Sequence, residues 1–309
     1  MSKIVINKTQ IGDAIYPLMY LLDEHNHPIE IIDIIEAGRG HVADICTVKK
    51  VMPNINGCIG KLQNSGEMCY LPFSRIKDEA FIVRHSEKKI VCEEDQLTVY
   101  IFKPAKDDKY CLVNCEPKRE SFVFKEDISE IICESEDEAG LVKESLGGLL
   151  KSDSDDRTLS VRVYQDESYP MKDMYGLEKA LSELGKNRIY LKSGGNICID
   201  KTTAATLIDV NSGNSSGKAD FVKVNVEAAI EIARQIRLKN IVGQIVVDFI
   251  NMDEKSDRDL VIKALNDASR SDRAKVRLFG FTAMGLFEMT RGGGVTGFLM
   301  ENAVKTLDL

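Results

Sequence analysis

The last third of the sequence alternates strand-like and helix-like segments, and this alternation restricts the fold more than any other feature. Apolar runs of strand length lie at 196–200, 205–211, 243–250 and 276–279. Apolar residues recur with the period of an amphipathic helix at 220–239, and a second helical stretch covers 257–271. Strands and helices in this order predict an α/β unit built on a sheet.

The first part of the chain predicts mostly β-structure. Apolar runs before residue 35 are separated by a polar turn at 23–28, which indicates two or three strands. From 42 to 115, five short apolar runs alternate with turn residues, and this spacing predicts a small barrel of the OB type. A fragment of a β-sandwich has the same periodicity and remains the alternative.

The middle of the chain is more charged and less regular. Residues 116–156 contain a predicted strand at 128–133 and a predicted helix that starts at 138 and continues to 150. A strand at 159–164 and a helix at 175–184 lead into the last third.

Charge bears on the class of partner. The chain is 43% hydrophobic and 29% charged, with a net charge of −8. Proteins that bind nucleic acid usually carry a basic surface, because phosphates dominate the affinity. The net charge therefore argues against such a partner for the chain as a whole. Much of the acidic excess lies at 116–138 and 153–156, which leaves room for a basic surface elsewhere.

The compartment is indicated by what the sequence lacks. No run approaches the roughly 20 apolar residues that span a bilayer, so we expect no membrane partner. The N-terminus lacks a long apolar signal segment, which predicts a cytoplasmic protein. The eight cysteines form no C-x-x-C pair, and none of the four histidines lies near a cysteine pair. Free and mostly buried thiols are therefore predicted, with no structural zinc.

Asp248 is the most informative single residue. It interrupts the run 243–250, which otherwise has the composition of a strand buried on both faces. Burial of a lone carboxylate is costly, so Asp248 would need a cation, a basic partner or a raised pKa. Asp209 raises the same question, and strand alternation places Asn211 on the same face as Asp209. If the two strands are neighbours, three oxygen ligands converge in a set that suits Mg²⁺.

Alternatives stay open for these side chains, because Asp-x-Asn is a common pattern. Both aspartates could cap helices or pair with arginines instead. The loop 213–218 resembles a phosphate loop only superficially, since it lacks the G-x-x-x-x-G-K-[ST] spacing, and ATP binding is not expected.

Basic residues of the last third could cradle a phosphodiester backbone. They are Arg234, Arg237, Lys239, Arg270, Arg273 and Lys275. A solvated helix face is the common role of such charges and remains the alternative. Of these and the loop residue Lys218, the candidate RNA-binding residues are Lys218, Arg234, Arg273 and Lys275.

Motifs spread over about a hundred residues resemble the ribonuclease E/G family, in the order in which that family has them. They are LKSGG at 191–195, ID at 199–200, LIDVNSG at 207–213, NVEAA at 225–229, EIARQIRL at 231–238, IVVDFI at 245–250, SDRA at 271–274 and GLFEMTR at 285–291. The resemblance implies a mixed α/β, multidomain architecture. An RNase H-like subdomain at 1–40 and 117–192 would be split by an inserted OB-fold RNA-binding barrel at 41–116. A DNase I-like α/β catalytic subdomain would follow at 193–309.

The same resemblance implies a magnesium-dependent endoribonuclease that acts on single-stranded RNA, such as mRNA or rRNA precursors, in RNA processing or decay. Asp209 and Asp248 would bind Mg²⁺, with Mn²⁺ as the alternative ion, and Asn211 would orient them or the scissile phosphate. The products would carry a 5′-phosphate and a 3′-hydroxyl. Tyr70 of the barrel would stack on a base, with ordinary barrel packing as the alternative. Lys275 would lie near the RNA backbone.

The chain departs from the family pattern in three respects. The short stretch between Cys115 and the strand at 128–133 leaves no room for the subdomain that senses a 5′-monophosphate, so little dependence on the 5′ end is expected. The sequence stops at Leu309, before the zinc-link and small C-terminal domain, which predicts a monomer or dimer instead of a zinc-linked tetramer. Ile59 replaces a usually aromatic residue and Asn251 a usually acidic one, changes that would weaken RNA binding or turnover.

Two further functions compete with the nuclease. A catalytically weak or inactive member of the family would bind RNA or associate with ribosomes. A structural protein of a larger decay assembly would use the acidic stretch 116–138, although a solvated surface also explains that stretch. The set of Asp209, Asn211 and Asp248 favours the enzyme, because a pure binder has no need of buried carboxylates.

Overall fold

The computed structural model describes residues 2–11, 14–34, 43–103, 105, 109–117, 123–146, 151–152, 155–158, 160–213 and 217–293. The strands in these ranges are, in chain order, β1 Ser2–Ile11, β2 Ala14–Leu22, β3 Pro28–Asp33, β4 Asp44–Met52, β5 Gly57–Leu62, β6 Met68–Pro72, β7 Phe81–Val83, β8 Gln96–Lys103, β9 Cys111–Asn114, β10 Val123–Phe124, β11 Ile128–Cys133, β12 Lys151–Ser152, β13 Asp155–Thr158, β14 Val161–Val163, β15 Arg188–Tyr190, β16 Asn196–Lys201, β17 Thr206–Asn211, β18 Gly243–Asp248, β19 Val276–Phe281 and β20 Phe287–Arg291. The α-helices are α1 Glu136–Leu146, α2 Met171–Met174, α3 Leu177–Gly185, α4 Lys218–Leu238 and α5 Lys255–Ser269.

The chain divides into two units. The first comprises 1–33, 122–140 and 148–309, and the second comprises 34–121 and 141–147. The second unit contains the strands from β4 to β9, and the first contains the remaining strands.

The second unit is built on a closed five-stranded barrel. Its strands pair in the order β4-β5-β6-β9-β8, and β8 pairs back with β4, while β7 adds to the outer edge of β8. Every second side chain points inward, and small apolar residues such as Val48, Leu71, Leu97 and Val113 fill the interior with no exposed surface. The prediction of a small barrel is confirmed, and the sandwich alternative is wrong.

The cysteines contribute to these cores as small apolar side chains. All eight thiols are free, and only Cys92 and Cys198 are partly exposed. Burial raises the pKa of the Cys58 thiol to about 12, so this group stays protonated at neutral pH. The prediction of free, mostly buried thiols is confirmed.

The first unit begins with a five-stranded sheet in the order β14-β11-β1-β2-β3. β1, β2 and β3 form an antiparallel meander, and β11 and β14 add to β1 in parallel. Helix α3 packs on this sheet through Leu177, Ala180 and Leu184, which share a core with Val5 and Leu18. The three strands before residue 34 confirm the expectation for that region.

A six-stranded sheet, called here the C-terminal sheet, follows in the order β15-β16-β17-β18-β20-β19. β17 and β18 are parallel, and the other neighbours are antiparallel. Helices α4 and α5 cover one face of it, where Ala228, Ile232 and Leu265 pack against Ile208 and Val247. The side chains that alternate with this core point to the opposite face, which is where the candidate site lies.

The helices of this region lie close to where the sequence predicts them. α4 and α5 begin two residues before the predicted starts at 220 and 257. α1 begins at Glu136, and residues 147–150 of the predicted helix lie outside the described part of the chain. The strands β15 and β20 were not predicted. None of the helices in the described ranges combines the length and the apolar character that a bilayer span needs.

Candidate active site

Asp209 and Asp248 lie side by side on the open face of the C-terminal sheet. Their strands β17 and β18 are parallel neighbours, and the two residues are direct Cα partners in the register. Neighbouring strands lie about 4.8 Å apart, and paired residues point to the same face. The two carboxylates therefore face solvent as a pair. Their strands are neighbours, which is the condition under which the two side chains could share a cation.

Asn211 completes the set from two residues further along β17. Its side-chain amide Nδ2 donates a hydrogen bond of 2.7 Å to Oδ2 of Asp209. This contact fixes the orientation of the Asp209 carboxylate. Three oxygen-bearing side chains thus share one face at the ends of two adjacent strands.

The burial predicted for these aspartates is wrong. Asp209 and Asp248 are both exposed, and β17 alternates regularly between buried and exposed residues. In β18, Ile245 and Val247 face the helices, whereas Gln244 and Asp248 face solvent. The strand is covered on only one side, because the helices of this region pack on a single face of the sheet. Neither carboxylate carries the desolvation cost that the apolar run suggested.

The alternative roles for the aspartates find no support in the described residues. Asp209 and Asp248 lie in strands, so neither caps a helix. Within the part of the chain that the structure describes, neither carboxylate forms a salt bridge with a basic side chain. Two like charges opposite each other on neighbouring strands repel, and a cation between them would relieve that repulsion. Two carboxylates and an amide oxygen fit a hard cation such as Mg²⁺, which prefers oxygen ligands and keeps several waters.

Two glycines let a neighbouring turn approach Asn211 closely. Gly213 has φ of +61°, and a Cβ there would lie 2.1 Å from the carbonyl oxygen of Gly194. A Cβ on Gly195 would lie 2.6 Å from the carbonyl oxygen of Asn211. The LKSGG and LIDVNSG motifs therefore meet in space, and side chains at these positions would push the turn away from the end of β17.

Helix α4 holds both strand ends through polar side chains. Glu227 accepts the backbone N–H groups of Lys192 and Ser193, at 2.6 and 3.0 Å, and so anchors that turn. Burial alone would raise the pKa of Glu227, but these hydrogen bonds lower it below its usual value. The fully buried Asn225 donates to the carbonyl oxygen of Ile250 at 2.8 Å and accepts its N–H at 3.0 Å. Ile250 lies two residues after Asp248, so Asn225 positions the chain where it leaves β18.

Arg234 and Arg273 take part in ion pairs within the first unit. Arg234 pairs with Glu183 and Glu231. Arg273 pairs with the buried Glu30, and only 10% of the Arg273 side chain is exposed. Arg234 lies on α4, which covers the face of the C-terminal sheet opposite the carboxylates. These contacts favour a structural role for both guanidinium groups over a contact with RNA.

The remaining candidates differ in their surroundings. Lys275 is exposed at the start of β19, at the edge of the C-terminal sheet. Lys218 is the first residue of α4, and its side chain lies outside the described part of the structure. Tyr70 lies on β6 of the barrel, where its hydroxyl donates to the carbonyl oxygen of Ile55 at 2.6 Å. A Cβ on Gly57 would lie 2.3 Å from the Tyr70 ring, so the ring packs against that backbone, and Tyr70 remains partly exposed.

Two sequence motifs meet in a buried ion pair that the sequence alone did not reveal. Arg291 donates two hydrogen bonds to Asp272, from Nε at 2.7 Å and from Nη2 at 3.0 Å. The same guanidinium donates to the side-chain oxygen of Asn240 at 3.0 Å. The SDRA and GLFEMTR motifs are therefore joined by a bidentate contact that holds the edge of the C-terminal sheet.

A second group of ligand-bearing side chains lies in the turn between β2 and β3. Ligand atoms of Asp23, His25 and His27 lie within 4.8 Å of one another. Oδ1 of Asp23 accepts the backbone N–H groups of His25 and His27, both at 2.8 Å. These contacts explain the cluster as the closure of a tight turn.

Comparisons with known proteins give one family. The model described as the Ribonuclease E/G family matches residues 117–292, which is more than half of the chain. Ribonuclease E of Nostoc sp. (strain PCC 7120) is 42% identical over 137 residues, which cover 43% of this chain and 20% of the relative. Ribonuclease G of Haemophilus influenzae is 39% identical over 133 residues, 42% of this chain and 27% of the relative. Ribonuclease E of Escherichia coli (strain K12) is 33% identical over 172 residues, 54% of this chain and 16% of the relative. The chain thus spans about a quarter or less of the length of these relatives.

Proposed function

This chain belongs to the Ribonuclease E/G family, and from that premise we propose that it is a magnesium-dependent endoribonuclease of the cytoplasm. Its substrate is single-stranded RNA, cleaved in RNA processing or decay to products with a 5′-phosphate and a 3′-hydroxyl. Relatives that share its motifs are named Ribonuclease E and Ribonuclease G. The same premise assigns an RNase H-like fold to the five-stranded sheet and a DNase I-like fold to the C-terminal sheet.

The observation that carries the proposal is the pairing of Asp209 with Asp248 on an exposed sheet face. An RNA strand is a long polymer, and it needs an open surface instead of an enclosed pocket. The open face of the C-terminal sheet supplies such a surface, with the two carboxylates near its middle strands. Asn211 holds the Asp209 carboxylate in a fixed orientation beside them.

Each residue of the set has a distinct role in the proposed reaction. Asp209 and Asp248 hold the cation through carboxylate oxygens from two adjacent strands. Mg²⁺, when bound, would polarise a phosphoryl oxygen and lower the pKa of a coordinated water. Asn211 orients Asp209, and Glu227 and Asn225 keep the two strand ends in place behind it.

RNA contacts outside the carboxylate pair are assigned by exposure. Lys275 is exposed at the sheet edge and offers a contact to the phosphodiester backbone. Lys218 is the first residue of α4, and its contact with the RNA backbone is proposed from the sequence alone. Tyr70 presents a partly exposed ring on the barrel, which suits stacking on a base, a contact worth about 1–3 kcal/mol. Arg234 and Arg273 serve first to stabilise the fold through their ion pairs.

A second function is favoured by the exposure of the carboxylates. Buried aspartates would be retained only for a purpose that offsets their desolvation, but Asp209 and Asp248 are exposed and carry little such cost. Their presence alone therefore does not separate a nuclease from a family member that only binds RNA. The charge repulsion between them still favours the nuclease, because a cation is needed to neutralise it.

Cleavage of an end-labelled, A/U-rich single-stranded RNA tests the proposal, with Mg²⁺ and with EDTA. Asp209→Asn and Asp248→Asn are compared with wild type and with Asp259→Asn, an exposed carboxylate on α5 that serves as the matched control. Metal-dependent internal cleavage that both site variants lose by more than about a hundredfold, and the control retains, supports the nuclease. RNA binding without cleavage in Mg²⁺ or Mn²⁺ supports the binding protein instead.

The same assay addresses the 5′ end of the substrate. Two RNAs of one sequence are compared, one with a 5′-monophosphate and one with a 5′-hydroxyl. Equal rates are expected, because only the short stretch between Cys115 and β11 occupies the place of the family's 5′-sensing subdomain. Faster cleavage of the monophosphorylated RNA would show that another part of the chain senses the end.

A further inference from the structure

We propose that a cavity beside Asp209 binds the nucleotide next to the cleaved bond, with Arg188 contacting a phosphate that is not cleaved. The cavity has a volume of about 350 Å³. It is lined by Arg188, Asn196, Asn211, Ser212 and Gly213. The proposal rests on the nuclease function above and extends it to a specific RNA subsite.

The register of the C-terminal sheet places Arg188 in line with the carboxylates. Arg188 is the Cα partner of Cys198, Cys198 is the partner of Asp209, and Asp209 is the partner of Asp248. Partners on neighbouring strands point to one face, so the four side chains form a row across four strands. Arg188 lies two strands from Asp209, roughly 10 Å between Cα atoms. One or two nucleotides of an extended RNA backbone span that distance.

A second row runs beside the first, and its members Asn196 and Asn211 line the cavity. Tyr190 pairs with Asn196, and Asn196 pairs with Asn211. The amide groups of Asn196 and Asn211 can donate to or accept from a ribose or a base. The Tyr190 side chain is 75% exposed on the same face as Arg188, which suits stacking on a base. The cavity therefore combines a cation and amides, and an exposed ring lies on the same face of β15; these are groups that recognise a nucleotide.

RNA binding on the open face of the C-terminal sheet needs a positively charged side chain near the two carboxylates. Two carboxylates without a paired cation repel a phosphodiester backbone, and the chain as a whole carries a charge of −8. The Arg188 side chain is held over the row by a contact of 3.4 Å from Nε to Sγ of Cys198. A planar guanidinium can bind phosphate oxygens with two parallel hydrogen bonds. Arg188 thus offers an attractive contact within reach of the carboxylates, on the face where the RNA would lie.

The experiment measures RNA binding without cleavage. Anisotropy of a labelled single-stranded RNA is recorded in EDTA over a series of KCl concentrations. The proteins are wild type, Arg188→Ala, Arg188→Lys and the control Lys263→Ala, which removes an exposed cation from α5 on the other side of the sheet. Arg188→Ala is expected to bind about tenfold more weakly and to reduce the salt slope by about 0.7, the value for one phosphate of a single strand. Arg188→Lys should keep the slope, and Lys263→Ala should match wild type.

Chemically modified RNA identifies the phosphate. Each RNA of a series carries one neutral methylphosphonate linkage near the cut site. One linkage should weaken binding to wild type as much as Arg188→Ala does and should have no further effect on that variant. The subsite is wrong if every linkage weakens the binding of Arg188→Ala as much as that of wild type. It is also wrong if Arg188→Ala binds RNA with the affinity and salt slope of wild type.

Failure of the subsite and failure of the proposed function give different results. If Arg188→Ala lowers affinity and slope but no protein cleaves RNA in Mg²⁺, Arg188 is still an RNA phosphate contact, whereas the nuclease function and the link to a cleaved bond are wrong. If the Asp209→Asn protein loses cleavage while Arg188→Ala binds and cleaves like wild type, the nuclease stands and the subsite is wrong. With both correct, Arg188→Ala raises KM about tenfold and leaves kcat nearly unchanged.

Discussion

Asp209 and Asp248 are direct neighbours on two parallel strands, and neither carboxylate has a basic partner among the residues that the structure describes. The two carboxylates therefore repel each other, and a bound cation would remove this destabilising repulsion.

The first prediction concerns stability in the absence of RNA. Without divalent metal, Asp248→Asn should keep or raise the free energy of unfolding, by up to about 1 kcal/mol, because it removes a like-charge pair. Mg²⁺ should raise the melting temperature of wild type and leave that of Asp248→Asn unchanged, because only a bound cation shifts the folding equilibrium. Thermal unfolding with and without Mg²⁺ measures both effects. Asp259→Asn should respond to Mg²⁺ as wild type does, and an equal response of all three proteins would contradict a site at the pair.

The second prediction concerns the buried amide of Asn225. Asn225→Ala leaves the N–H and the carbonyl oxygen of Ile250 without their side-chain partner. Loss of partners for part-buried backbone groups should lower the free energy of unfolding by about 1–3 kcal/mol. Denaturant unfolding measures this value, and Asn187→Ala, at an exposed position, is the control. A change within the error of the control would show that Ile250 finds other partners.

The third prediction separates positioning from stability at Glu227. Glu227→Gln replaces one of two accepting oxygens by an amide that cannot accept the N–H of Lys192 or Ser193. If the turn supports Asn211, the Mg²⁺ concentration for half-maximal cleavage should rise by about 10–100-fold. Glu227→Asp, which keeps both oxygens, should recover part of the loss. An unaltered metal dependence, with only a lower melting temperature, would assign Glu227 to stability alone.

The sequence predicted the elements of the C-terminal sheet better than their burial. A run such as 243–250 has the composition of a fully buried strand, and hydrophobicity cannot show that helices cover only one of its faces. The exposure of Asp248 follows from tertiary packing, and so does the pairing of Asp209 with Asp248, because the strands are far apart in the chain. β15 was missed because a three-residue strand has too little periodicity to detect. That omission also hid Arg188.

Basic residues in the motifs illustrate a second limit of the sequence. A positive charge on a predicted helix is equally consistent with a phosphate contact and with a solvated face. Arg237 is instead 3% exposed and pairs with Glu30 and Glu126, which lie about 207 and 111 residues away along the chain. Partners at such separations leave no local pattern. The barrel was easier to predict from the sequence, because five strands with short turns restrict the topology to few alternatives.

The fourth prediction tests the close approach of the two glycine-containing motifs. Gly213→Ala places a Cβ 2.1 Å from the backbone oxygen of Gly194 and puts alanine at φ of +61°. The strain and the displaced turn should lower the free energy of unfolding by on the order of 2–4 kcal/mol. Gly185→Ala meets no atom within 4 Å and should be neutral or slightly stabilising. Equal unfolding midpoints for the two variants would show that the turn yields without cost.

The fifth prediction concerns the buried network around Glu30. Burial alone would raise the pKa of Glu30, but the guanidinium groups of Arg273 and Arg237 outweigh it and lower the pKa to about 2, from an ordinary value of 4.5. A folded-state pKa below the unfolded one means that the unfolded chain binds the proton more readily. The stabilisation is therefore fully present above about pH 4.5 and is lost as the pH falls toward 2.

Glu30→Gln removes the charge from this network and keeps the size of the side chain. Breaking a buried ion pair by removal of one partner should lower the free energy of unfolding at pH 7 by about 3–5 kcal/mol, because Arg273 and Arg237 remain buried. The difference from wild type should shrink between pH 4.5 and pH 2, as wild type loses the same charge. Denaturant titrations at several pH values measure this convergence, with Glu178→Gln as the control, since its pair with Lys172 is solvent-exposed. A difference that stays constant down to pH 2 would mean that Glu30 does not take up its proton between pH 4.5 and pH 2. Its contribution would then come from shape and hydrogen bonding instead of charge.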